Sequence, residues 1–126
     1  MLIYILVGLG GALGTLGRFA LSTFAARQFG EMFPWGTMII NVTGAFVIGI
    51  CATICDPESL FPKSPFAFFF MVGICGGYTT FSSFSLQTLR LAQEGQFRHA
   101  LVNVAGSNVG CLLAVWLGHE IVAAII

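Results

Sequence analysis

Charge is what this sequence has least of. Five Lys/Arg and five Asp/Glu make up 8% of 126 residues, with a formal net charge of zero, where a soluble domain carries about 25%. A surface so poor in charge would not stay monomeric in water. With 57% hydrophobic residues and a mean hydropathy of +0.95, the chain reads as an integral membrane protein of one domain, residues 1–126. It has no run of Lys and Arg, so binding to nucleic acid lacks an electrostatic basis. The N-terminus is apolar at once, with no basic segment ahead of the hydrophobic one, so a cleaved signal peptide is not expected. Cysteine and histidine are too sparse and too scattered to suggest a metal centre. Cys51, Cys55, Cys75 and Cys111 all fall in apolar stretches, and His99 and His119 sit near the ends of others. The thiols read as small apolar side chains. Nothing resembles a nucleophile with its base, so an enzyme is not expected.

What the chain does have is four apolar stretches, each near the roughly 20 residues that a helix needs to cross about 30 Å of hydrocarbon. They run from about Leu2 to Ala26, from Trp35 to Cys55, from about Pro65 to Leu91 and from about Ala100 to Ala124. The connections hold most of the charge: Arg27 and Glu31, then Asp56, Glu58 and Lys63, then Arg90, Glu94 and Arg98. Pro57, Pro62 and Pro65 punctuate the second connection. Ser64-Pro65 suits a cap and a first helical turn, and Gly95 ends the third stretch. Lys63 stands alone on the side of the two termini, while Arg27, Arg90 and Arg98 are on the other, joined by Arg18 if it reaches that way. The positive-inside rule leans toward termini outside, with a bias small enough to allow insertion both ways. Gly10, Gly14 and Gly17, and Gly106 and Gly110, recur at spacings that suit close helix packing.

Against this background the polar residues inside the stretches stand out, because an unpartnered polar group in hydrocarbon is costly. Span two has Thr37, Asn41 and Thr43, and span four has Asn103, Ser107 and Asn108. Span three has Tyr78, Thr79, Thr80, Ser82, Ser83, Ser85, Gln87 and Thr88, in the run GGYTTFSSFSLQT. A single Ser or Thr can bond back to its own helix, but this run is too dense for that alone. Gly76 lies eleven residues past Pro65, about 16 Å at 1.5 Å per residue, near the bilayer midplane. Two glycines followed by Tyr-Thr-Thr make a poor helix interior, costing about 2 kcal/mol for the glycines alone. The pattern predicts a broken third helix. Freed carbonyls at such a break can hold a cation, and the N-terminus of the resumed helix favours an anion. A plain kink filled by a neighbouring helix is the simpler alternative. Just beyond, Phe81 and Phe84 share a face at i, i+3, with Ser85 and Thr88 close by. Aromatic rings have a positive edge. Ring edges, hydroxyls and an Asn amide together would suit a small anion held weakly enough to leave. Lipid or core packing is the other use for two phenylalanines.

GGYTTFSSFS (76–85) resembles the signature of the small dual-topology fluoride channels, known as Fluc or CrcB. GGALGTLGRF (10–19) and WGTMIINVTG (35–44) are similar to that family's first- and second-helix patterns, and Gly110 to its fourth-helix glycine. The likeness covers essentially the whole chain. It implies an all-α membrane protein: four transmembrane helices with a broken third helix, paired as an antiparallel homodimer in the cell (inner) membrane. Two pores would pass fluoride passively out of the cytoplasm. A structural Na⁺ would sit at the dimer centre on the backbone carbonyls of Gly76 and Thr79. Phe81, Phe84, Asn41, Ser82, Ser83 and Thr80 would form the fluoride pathway, with Arg18 near a vestibule, raising the local anion concentration. Two positions depart from the pattern. Members commonly carry Glu where this chain has Gln87, and Ser where it has Cys111. Neither change is expected to abolish conduction. Two other readings compete. A small proton-coupled exporter would need a carboxylate deep in the membrane, and the span interiors have none. A non-transporting scaffold would use the Gly and Ser/Thr faces only for packing.

Overall fold

The computed structural model describes residues 1–56 and 64–126. The expectations placed on Pro57, Glu58, Pro62 and Lys63 lie outside those residues. The first two elements are the helices α1 (Leu2–Phe29) and α2 (Trp35–Ile54). The third span, Pro65–Gln93, is composite. It consists of α3 (Pro65–Ala67), a π-helix (Phe68–Cys75), α4 (Gly76–Tyr78) and α5 (Phe81–Gln93). The last element is α6 (Phe97–Ile125). The chain therefore has four helical spans long and apolar enough to cross a membrane, at the four places the sequence marks. The fourth starts at Phe97 rather than near Ala100, because the charged residue Arg98 is taken into its first turn.

Glycine ends two of the spans. Gly30 closes α1 with φ 78°, and Gly95 follows α5 with φ 77°. At Gly95 the Gln96 N–H donates to the Leu91 carbonyl at 2.8 Å, and the Gly95 N–H to that of Ala92 at 3.1 Å. This paired pattern satisfies the last carbonyls of a helix and reverses the chain tightly. At the far end of α1 the turn into α2 is filled by aromatic rings, with Phe33 and Trp35 centroids 4.8 Å apart. Such rings suit the membrane–water boundary.

Helices are joined by backbone approach more than by bulky side chains. α1 lies against the π-helix so closely that a Cβ on Gly10 would come 2.5 Å from the Phe69 carbonyl oxygen, and one on Gly77 2.5 Å from that of Gly11. α2 meets α6 the same way, where a Cβ on Gly49 would collide with the Val115 carbonyl and one on Gly118 with that of Phe46. Lipid tails give helices no hydrophobic reason to associate, so close van der Waals contact between small residues supplies it. Of the glycines singled out by spacing, Gly10 and Gly14 meet backbone, whereas Gly106 and Gly110 face the side chains of Met38 and Val42. Large apolar side chains such as Leu9, Leu13, Leu16, Leu112 and Leu113 point outward, as lipid-facing residues must. The two largest fully buried side chains are Ile40 and, unusually, Asn103.

Candidate functional site

Helical geometry stops after Tyr78. Thr79 and Thr80 are extended, with φ, ψ of −79°, 157° and −152°, 120°, and the helix resumes at Phe81. The two glycines stay within helical backbone, since Gly77 is needed for the approach to α1. The threonines carry the irregularity, and their β-branched side chains favour extended backbone. Gly44 makes room for this, as a Cβ there would strike the Thr79 methyl group.

Side chains supply partners to much of the backbone at the irregularity, as the membrane interior requires. Asn41 on α2 bonds the Thr80 backbone from both sides. Its Nδ2 donates to the Thr80 carbonyl at 2.9 Å, and its Oδ1 accepts from the Thr80 N–H at 2.8 Å. In an unbroken helix that N–H would bond to the Gly76 carbonyl. Asn41 diverts it, and so frees the Gly76 oxygen from its helical partner. The next carbonyl, that of Gly77, accepts from Arg18 Nε at 3.1 Å and from Thr15 Oγ1 at 3.4 Å. A guanidinium at the C-terminal end of a helical segment also complements its dipole. Thr80 is the N-cap of α5, its Oγ1 accepting from the Ser83 N–H at 3.2 Å.

Beside this segment lies a cavity of about 380 Å³. Asn41, Gly76, Thr79, Thr80, Phe81, Phe84, Ser107, Asn108 and Cys111 are among the residues that line it. The Phe81 and Phe84 rings are 5.3 Å apart, centroid to centroid, and tilted by 47°. Phe84 is buried at 7% exposure, whereas Phe81 is 75% exposed at the open side. Of the expected site residues, the cavity brings together Phe81, Phe84, Asn41, Thr80, Gly76 and Thr79. Ser82 and Ser83 are not on its wall, and their hydroxyls lie 3.3 and 3.2 Å from Thr80 Oγ1. Arg18 is likewise away from it, tied to the Gly77 carbonyl.

Three cavity residues on α6, Ser107, Asn108 and Cys111, were visible in sequence only as polar or sulfur-bearing positions in a span. The i, i+4 spacing of Ser107 and Cys111 is a signal that could have placed these two on one face. Behind the wall runs a partly buried chain of hydrogen bonds. Ser107 Oγ donates to Asn103 Oδ1 at 3.3 Å, Asn103 Nδ2 to Thr88 Oγ1 at 2.9 Å, and Thr88 Oγ1 to the Phe84 carbonyl at 2.7 Å. A second cavity, of about 480 Å³, opens near the ends of α1 and α5, and Thr37, Gln87, Arg90 and Glu94 are among its lining residues. Gln87 Oε1 is buried there without a hydrogen-bond partner.

Among the described residues no group of three or more His, Cys, Asp or Glu side chains is placed to hold a metal ion. The donors on offer for a hard cation are backbone carbonyls, and the Gly76 oxygen released by Asn41 fits that role.

The fold and this cavity define the chain as a helical, multi-pass membrane protein with an aromatic and polar recess between its third span, α2 and α6. It belongs to the CrcB-like, camphor resistance (CrcB) family, whose model matches residues 5–119. It is similar to proteins named fluoride-specific ion channel FluC. One, from Rhodospirillum rubrum, is 56% identical over 117 residues, covering 92% of this chain and 91% of that one. Another, from Opitutus terrae, is 53% identical over 120 residues, covering 94% and 91%. A third, from Paramagnetospirillum magneticum, is 54% identical over 120 residues, covering 94% of each.

Proposed function

We propose that the chain, like the relatives named fluoride-specific ion channels, is a fluoride-selective channel, and that it lets the ion leave the cytoplasm passively across the inner membrane. The observation that carries this reading is the cavity in which Phe81, Phe84, Asn41 and Thr80 meet beside the extended pair Thr79–Thr80. Fluoride is small and strongly hydrated, so a dry path must replace its water with donors. Ring edges, an amide N–H and hydroxyls supply positive partial charge with no cationic side chain in the path itself, and so without a deep trap. Asn41 has one amide N–H engaged by Thr80 and a second left over for an anion. Among the described residues no carboxylate lines the cavity, which disfavours proton-coupled export.

The working unit in this reading is an antiparallel homodimer with two pores. Phe81, Ser82, Ser85, Gly76 and Asn108 are exposed on the single chain within membrane-spanning helices. Polar groups there are costly against lipid. A second, inverted copy would cover them and supply the inverted symmetry that one four-span chain lacks. The third span acts in it as a broken helix whose released carbonyls, those of Gly76 and Thr79, would hold a structural Na⁺ at the dimer centre. That ion would supply fixed positive charge between the two pores. The side chains of Asn41 and Arg18 keep the backbone in the shape that presents those oxygens.

The test is fluoride efflux from liposomes by Phe81→Ile and Phe84→Ile variants. Isoleucine keeps bulk and removes the ring edge. Channel function predicts a loss of flux in both, and efflux equal to that of the parent would favour a packing scaffold.

A further inference from the structure

The second cavity, of about 480 Å³, gathers charges that do not pair with one another. Gln87, Arg90, Leu91 and Glu94 line it from α5 and its cap, at i, i+3, i+4 and i+7, which is one helix face. Glu31 lines it from the turn between α1 and α2, beside Phe33 and Trp35. Among the described residues, Glu31, Arg90 and Glu94 form no ion pair although they share this space. The Gln87 amide makes no hydrogen bond within the chain, and its Oε1 is enclosed, so its N–H groups are the part left for the cavity. A simple anion would meet two carboxylates here, and a simple cation would meet a guanidinium. The set suits a ligand that carries both charges. The order of the groups narrows the choice. α5 runs outward from the break near the midplane, so Gln87 is the deepest. At 1.5 Å per residue, Arg90 is about 4.5 Å nearer the surface and Glu94 about 6 Å beyond it. A phospholipid head presents its polar groups in the same order: ester carbonyl, phosphate, then ammonium. Aromatic residues such as Phe33 and Trp35 suit the boundary where such heads lie.

We infer that this cavity seats the head of a zwitterionic membrane phospholipid that ends in a primary ammonium. The Arg90 guanidinium holds the phosphate, the Glu94 and Glu31 carboxylates take the ammonium, and Gln87 Nε2 donates to an ester carbonyl at the base of the head. Arginine matches phosphate by its planar fork of N–H donors. A primary ammonium has three N–H groups for two carboxylates, whereas a quaternary ammonium has none. In an antiparallel pair, each leaflet would have one such site.

The test is lipid retention, read by mass spectrometry of the intact protein from micelles holding equal amounts of three dioleoyl lipids. These are phosphatidylethanolamine, phosphatidylcholine and phosphatidylglycerol, which share the phosphate and differ in the group beyond it. The parent chain should keep the ethanolamine lipid about tenfold better than either of the others. Arg90→Gln should keep about tenfold less of it. Glu94→Lys should reverse the preference, toward the glycerol lipid. Arg90 and Glu94 are exposed, so both variants should fold, with gel filtration as the check. Equal retention of the three lipids by the parent, or an unchanged preference in Glu94→Lys, would overturn the inference. Displacement of the ethanolamine lipid by an excess of soluble glycerophosphoethanolamine would also overturn it, because the site would then serve a free zwitterion and not a membrane lipid. None of these readouts depends on fluoride passage, so their failure leaves the channel reading intact.

Discussion

Asn41 illustrates how much one side chain does here. Two hydrogen bonds, at 2.8 and 2.9 Å, fasten it to a single backbone unit, that of Thr80. The same amide has a second N–H, and Asn41 lines the cavity. An aspartate at this position could still accept from the Thr80 N–H. It would have no N–H for the Thr80 carbonyl or for an anion, and its charge would repel both. Asn41→Asp is therefore expected to cut fluoride efflux at least tenfold, and unchanged efflux would remove Asn41 from the pathway. The sequence marked Asn41 as a polar residue in a span, together with the two phenylalanines. It could not show the clamp, because the partner is a backbone group 39 positions away. For the same reason the bond from Arg18 Nε to the Gly77 carbonyl was not visible, and the resemblance gave only a place near a vestibule. The hydroxyls of Ser82 and Ser83, which the resemblance puts in the pathway, lie around the Thr80 cap.

The elements were largely legible. Four apolar runs, a proline at the start of the third and a glycine after it gave the spans and their ends, because hydrophobic length and helix punctuation are local properties. Less local is the job of each glycine. Gly49, Gly73 and Gly118 are as closely packed as Gly10 and Gly14, yet only a knowledge of which helices touch shows it. The interval 76–80 stood out as poor helix, and the glycines drew the eye, while the extended residues are Thr79 and Thr80. Gly77 serves packing instead, since a Cβ there would sit 2.5 Å from the Gly11 carbonyl oxygen and 3.0 Å from its Cα. Those are backbone atoms and cannot turn aside. Gly77→Val should destabilise the protein by about 1–3 kcal/mol or more, read as a lower midpoint in thermal unfolding in detergent. A midpoint equal to that of the parent would mean that α1 and the third span are not packed this tightly.

At the scale of the whole molecule, the charge pattern and the exposed polar face bear on the same question. A chain with so slight a Lys/Arg asymmetry has little to fix its orientation. A polar recess open on one side needs a cover within the membrane. Insertion in both orientations answers both, and C-terminal reporter fusions that signal on opposite sides of the membrane should both be active in one culture. Activity from only one reporter would rule out an antiparallel pair. The residues themselves allowed insertion both ways and a cation on freed carbonyls, but the proposed antiparallel pairing and central Na⁺ would need a second copy of the chain, and the resemblance of GGYTTFSSFS to a known signature is what names them.

The most direct test of the central claim is efflux from liposomes that contain the purified, folded protein. Vesicles are loaded with KF or, separately, KCl, valinomycin is added to carry potassium, and an ion-selective electrode reads the bath. A fluoride channel built on ring edges, hydroxyls and an amide should release fluoride rapidly and chloride not at all. Retention of fluoride, or release of both halides at similar rates, would contradict it.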